Sequence, residues 1–125
     1  MAQAKNIMGG GLSGGMAQAI NGTQGTVAAA GSSQTNAALV GFDVGIVTAA
    51  DGTKGVILPA AQPGDFVTFF NNAASTLKVY PPSGAAIAVN GTGLGSANAA
   101  FSHLTYKTAT YTCYSSTQWF VEVSA

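Results

Sequence analysis

The chain carries almost no charge. Four Lys stand against four Asp plus Glu, charged residues make up 6% of the 125, and arginine is absent. Ordinary soluble domains carry about 25% charged residues. A formal net charge of zero leaves no basic stripe to neutralise phosphates, which argues against a nucleic-acid partner. It argues equally against an acidic tail or a polybasic membrane anchor. Cysteine is nearly missing too. Cys113 alone can form no internal disulfide and leaves too few thiols for a structural zinc site. Long apolar runs are also lacking: nothing approaches the ~18 residues of a bilayer-spanning helix. The first 25 residues hold one Lys and no apolar stretch of ~7–15 residues, so no secretory signal and no membrane association are expected, only synthesis in the cytoplasm.

What remains suffices for one domain with a thin core. The hydrophobic fraction is 47%, but 23 of those residues are Ala. Net charge near zero and few ionic groups give weak colloidal protection. Much of the surface is therefore expected to be covered by other protein.

Residues 1–24 differ from the rest. Gly9, Gly10, Gly11, Gly14 and Gly15 lie among Ser, Ala and Gln, with Ile7, Met8, Leu12, Met16 and Ile20 as scattered apolar positions. Glycine loses the most backbone entropy on ordering, so such a segment does not fold alone. Two readings stay open: a leader without structure of its own, or an extended N-terminal arm ordered on a partner. The five apolar residues favour the arm, since a plain spacer needs none.

From residue 25 to 125 the period is two. Thr76, Lys78 and Tyr80 alternate with Leu77 and Val79; Ala109, Tyr111 and Cys113 alternate with threonines and Tyr114; Trp119, Val121 and Val123 alternate with Gln118, Phe120 and Glu122. These are half-buried strands. Residues 65–70 are apolar on both faces, which predicts a strand covered on both sides. Further strands are predicted near 26–30, 38–42, 44–49, 55–58 and 86–89. Gln62-Pro63-Gly64-Asp65 reads as a type II turn. Asp51-Gly52, Asn21-Gly22 and Asn90-Gly91 read as tight turns, and Ser115-Ser116-Thr117 as a hairpin loop. Residues 97–104 suggest one or two helical turns. Many short strands at regular spacing predict an all-β body, an antiparallel sandwich or barrel of jelly-roll-like kind.

Little in the chain points to catalysis. Gly11-Leu12-Ser13-Gly14-Gly15 matches the nucleophile-elbow pattern in letters, but no strand precedes it, and five glycines in seven residues make the match expected by chance. His103 is the only histidine and has no evident nucleophile or orienting partner. It reads as a surface or interface imidazole. Cys113 falls on the inward register and reads as a small buried hydrophobe. Asp43, Asp51, Asp65 and Glu122 are too scattered for a calcium loop. No catalytic residue, metal ligand or cofactor is assigned, and a non-enzymatic role is expected. Tyr80, Tyr106, Tyr111, Tyr114, Trp119 and Phe120 fit either a sugar-binding face or, the favoured reading, core and subunit contacts.

One longer pattern stands out. Leu58-Pro59-Ala60-Ala61-Gln62-Pro63-Gly64-Asp65 runs on through Val67–Asn71 into Leu77-Lys78-Val79-Tyr80-Pro81-Pro82-Ser83-Gly84. It closes with Asn90-Gly91, Ala109–Cys113 and Gln118-Trp119-Phe120. This half of the chain resembles a recurrent module of tailed-bacteriophage virions, found in capsid decoration (cement) proteins and in parts of head and tail fibres. The resemblance implies a β-rich homotrimer on the outer capsid surface that clamps neighbouring major capsid protein subunits, often with help from an N-terminal arm. On that view Ile7, Met8, Leu12, Met16 and Ile20 are the capsid contacts, and Phe66, Phe70, Tyr80, Tyr114 and Phe120 the subunit contacts. The alternative is a fibre or tip module that binds host carbohydrate; fibre proteins usually carry the module as one part of a longer chain, which favours decoration.

Overall fold

A computed structural model describes residues 23–89 and 93–124. Among these residues ten strands form and no helix does: β1 (Gln24–Ala28), β2 (Ala38–Leu39), β3 (Val44–Thr48), β4 (Gly55–Ile57), β5 (Phe66–Asn71), β6 (Leu77–Tyr80), β7 (Ala86–Val89), β8 (Phe101–His103), β9 (Thr108–Ser115) and β10 (Gln118–Val123). They make two sheets, one in the order β1-β3-β5-β9-β10-β7 and the other β2-β4-β6-β8. From β1 to β9 each strand lies in the sheet its predecessor does not. Only the closing hairpin, β9 to β10, stays within one sheet.

This alternation sets the direction of pairing. From β1 to β6, a chain that visits the opposite sheet and comes back arrives beside its earlier strand running the same way; β8 returns beside β6 running the opposite way. Val44 thus sits between Gln24 and Thr68 in parallel register, and Val56 between Ala38 and Val79. Parallel neighbours require a crossover connection, for which an α-helix is the usual choice; here a strand of the other sheet does that work. Five of the eight strand pairings are parallel. The expected antiparallel pairing is therefore corrected to mixed sheets, and neither sheet closes into a barrel. Alternating polarity fixes which face a residue takes but says nothing of strand direction.

The inner faces of the two sheets share one core. The larger sheet contributes Val47, Val67, Phe69, Tyr111 and Trp119, the smaller one Val56, Leu77 and Val79. At its centre the Phe69 ring stacks on Tyr111 at 4.9 Å between centroids and on His103 at 5.3 Å, while Phe42 meets it edge-on at 6.4 Å. Each large apolar side chain buried in this way contributes about 1.5–3 kcal/mol. Phe42 fits because Gly25 and Gly45 pair across β1 and β3 without side chains. A Cβ on Gly45 would lie 2.2 Å from the Gly25 carbonyl oxygen and 2.7 Å from the Phe42 ring.

Most of the predicted punctuation is present. Asp65 N–H donates to the Gln62 carbonyl at 3.1 Å, with Gly64 at φ 93° as a type II turn requires. Asp51 Oδ1 accepts from the backbone N–H of Thr53 and of Lys54, both at 2.9 Å, and closes the turn at Gly52. The β9–β10 hairpin carries a bulge: Gln118 pairs with Ser115 but Trp119 pairs with Cys113, so Tyr114 is the extra residue. The Asn21-Gly22 and Asn90-Gly91 turns lie outside the described residues. So does the expected arm, apart from Thr23 and Gln24, which lead into β1. One element is corrected. Residues 97–104 hold no helix; Asn98 has φ 65° and Phe101–His103 forms β8, antiparallel to β6.

Gly45→Ala is expected to destabilise the protein by about 2 kcal/mol or more, because the clash involves backbone as well as a packed ring. A urea unfolding curve checks this. An equal substitution at Gly41, where an added Cβ meets nothing within 4 Å, is expected to cost far less.

Candidate functional site

The residues with most chemical potential are built into the core. His103 is fully buried. Tyr111 Oη lies 2.8 Å from Nδ1, and the Lys107 carbonyl oxygen lies 2.7 Å from Nε2. A carbonyl can only accept, so the Nε2–H donates to it, and Nδ1 accepts from the Tyr111 hydroxyl. This is the neutral imidazole. Burial lowers its pKa, the Lys107 carbonyl opposing in part, and burial likewise pushes the Tyr111 hydroxyl well up. The expectation of a surface or interface histidine is thus corrected. Phe101 and His103 occupy alternate positions of β8, and pairing with β6 turns both inward against Tyr111 and Phe69.

Cys113 is buried as expected. Its Sγ–H donates to the Ser115 carbonyl at 3.1 Å, and burial, then the charge of Asp65, raises its pKa. Asp51 is held down to about 2, first by the Lys54 N–H and then by the Thr53 N–H and hydroxyl. Asp43 Oδ2 accepts from the Thr23 N–H at 2.8 Å. Two of the four acids are thus committed to local backbone geometry. Among the described residues no three His, Cys, Asp or Glu side chains gather as metal ligands.

What the fold does assemble is a surface. The outer face of the six-stranded sheet presents three rows that follow the strand register. One runs Phe66, Thr112, Phe120, Ala88; the next Gln24, Val44, Thr68, Thr110, Glu122; the third Thr26, Ile46, Phe70, Thr108. Exposure is 45% at Val44, 41% at Ile46, 38% at Phe66 and 41% at Phe120, so these apolar groups meet solvent in a single chain. The Thr68 and Thr110 hydroxyls bond each other at 3.0 Å. Phe70 stacks with exposed Tyr106 at 6.4 Å, and the bulged Tyr114 leans on Phe120 at 5.4 Å. Glu122 is the only charged residue in the six strands.

Four of the five expected subunit-contact residues, Phe66, Phe70, Tyr114 and Phe120, therefore share one face. Tyr80 does not join them. It belongs to β6 in the smaller sheet, half-buried, with its hydroxyl donating to the Ser32 carbonyl at 3.3 Å. Of the other aromatics, Tyr111 and Trp119 are core residues. The strand at 65–70, expected to be covered on both sides, is covered on one: Val67, Phe69 and Asn71 are buried, while Phe66, Thr68 and Phe70 stay at least partly open. Val44 and Ile46 were not among the expected contacts, although Val44-Gly45-Ile46-Val47 shows the same two-sided pattern. Ile7, Met8, Leu12, Met16 and Ile20 lie outside the described residues. Compared with protein-family models, curated proteins and solved structures, the chain matches none.

The neutral His103 gives a pH signature. Its folded pKa lies below the ordinary 6.5, so the unfolded chain binds the proton first and stability falls as pH drops below about 6.5. It continues to fall until the folded pKa is passed. Urea midpoints at pH 7.5 and pH 5 measure the drop. Tyr111→Phe leaves Nδ1 without its donor and is expected to cost about 1–3 kcal/mol at pH 7.5.

Proposed function

We propose that this chain is a non-enzymatic structural protein of a tailed-phage virion, a decoration protein that sits on the outer surface of the head as a homotrimer and clamps neighbouring major capsid protein subunits. Its body is then a two-layer sandwich and residues 1–24 its attachment arm. One observation carries the reading: β3 and β5 are parallel strands with apolar side chains on both faces, and the described residues cover only the inner face. Strands buried on both faces read as near-continuous apolar runs rather than alternating ones, as β3 and β5 do. The scarcity of charge across that face supports cover by protein rather than by water, and the resemblance of residues 58–121 to virion modules supports the setting.

In this reading Val44, Ile46, Phe66 and Phe70 form the contact between subunits, while Ile7, Met8, Leu12, Met16 and Ile20 anchor the arm to the capsid. The mechanism is mass action. A ligand that binds only the assembled shell stabilises it by RT ln(1 + [L]/Kd), about 4 kcal/mol at a thousand times Kd. Three attachment points on one trimer raise the effective concentration of each.

Two changes test the parts separately, with phage heads incubated with pure protein and imaged by electron microscopy. Deleting residues 1–20 is expected to leave a folded body that decorates heads poorly. Ile46→Lys with Phe66→Lys is expected to leave a folded monomer, since both side chains point outward. Full-length protein that leaves heads bare, or truncated protein that decorates them equally well, overturns the corresponding part.

A further inference from the structure

Beside β7 the same sheet face deepens into an open cleft of ≈ 610 Å³, within the ~300–1,000 Å³ of small-molecule sites. Thr110, Thr112, Phe120 and Glu122 line it from the outer faces of β9 and β10, and Leu94, beyond β7, is 74% exposed on it. We propose that this cleft binds a neutral saccharide. The inference stands apart from any place in a virion, and it uses the β10 end of the face rather than the β3–β5 strip.

The lining has the mixture that a sugar ring demands. A pyranose offers one face of C–H groups and a rim of hydroxyls. Phe120 supplies an exposed ring for the first, held in place by Tyr114 at 5.4 Å; a flat aromatic provides large contact area at small entropic cost. Glu122 supplies the second. Its two carboxylate oxygens can accept from adjacent sugar hydroxyls, and hydrogen bonds to a charged acceptor are the stronger kind. The Thr112 hydroxyl can both donate and accept. Thr110 is held by its bond to Thr68, which fixes the floor of the cleft.

Other ligand classes fit less well. Glu122 is the only charged residue in the lining, so a phosphate, sialate or sulfate would meet a like charge with no cation to offset it. A wholly apolar ligand would cover the carboxylate without giving it a partner, which is costly. A cation would gain one weak, solvent-exposed ion pair and leave the threonine unused.

The test uses the full chain on an array of neutral di- to tetrasaccharides beside sialylated and sulfated glycans, followed by calorimetric titration of the best ligand and of an oligolysine peptide. Binding to neutral glycans is expected, weakened about tenfold or more by Phe120→Ala and by Glu122→Gln, with Lys78→Ala on the other sheet unchanged. Circular dichroism confirms that each variant is folded; both altered side chains are exposed. No neutral glycan bound, a preference for anionic glycans or oligolysine, or binding that survives both substitutions each overturns the proposal. Head decoration measured on the same variants keeps its failure distinct from that of the capsid reading.

Discussion

The cluster of Phe69, Tyr111 and His103, three rings in mutual contact, joins the two sheets. Phe69 and Tyr111 belong to neighbouring strands of the larger sheet, His103 to the edge of the smaller one. The hydrogen bond from Tyr111 to His103 ties the sheets by a directed contact as well as by packing. A polar pair inside a core is tolerated only when its groups are satisfied, and here the Lys107 carbonyl satisfies the remaining imidazole nitrogen. Asn71 at the end of β5 is satisfied on one side only: its amide N–H groups are shared among the carbonyls of Ser75, His103 and Leu104, while its buried Oδ1 has no partner among the described residues.

This arrangement also decides what is left outside. Two sheets over one core have two outer faces, and no helix among the described residues covers either. On the smaller sheet the outer side of β6 is taken by Lys78 and Tyr80, both half-buried. On the larger sheet the strands that bring Val47, Val67 and Phe69 inward bring Val44, Ile46, Phe66 and Phe70 outward. Solvated sheet faces alternate apolar with polar residues; β3 and β5 do so only weakly. The face is built like an interior, and its only charge is Glu122 at the far side. The proposed self-association and the proposed ligand binding would divide this one surface between its β3–β5 and β10–β7 ends.

Much of this was legible in the sequence. Nine of the ten strands were placed, β6, β9 and β10 by their period-two runs, and Gly64 and Asp51 marked turns that exist, because side-chain alternation and turn chemistry are local properties. Pairing direction was not legible. It depends on where each connection leads, and every connection from β1 to β9 crosses to the other sheet. β8 was hidden by the alanines at 97, 99 and 100, which favour helix in isolation, while pairing with β6 overrides that preference. His103 was misplaced for the same reason. With β8 recognised, alternation with Ser102 would have turned it inward beside Phe101. Of the residues expected at subunit contacts, Phe66, Phe70, Tyr114 and Phe120 share one outer face, but Tyr80 was grouped with them because alternation cannot tell one sheet from the other.

The claim that the outer face of the larger sheet is covered by further copies of the chain is tested most directly by the mass of the pure full-length protein at sedimentation equilibrium, over a wide concentration range. Three chain masses, reduced to one by Ile46→Lys with Phe66→Lys, is the expected result. A single chain mass at every concentration, with the wild-type face exposed, contradicts it.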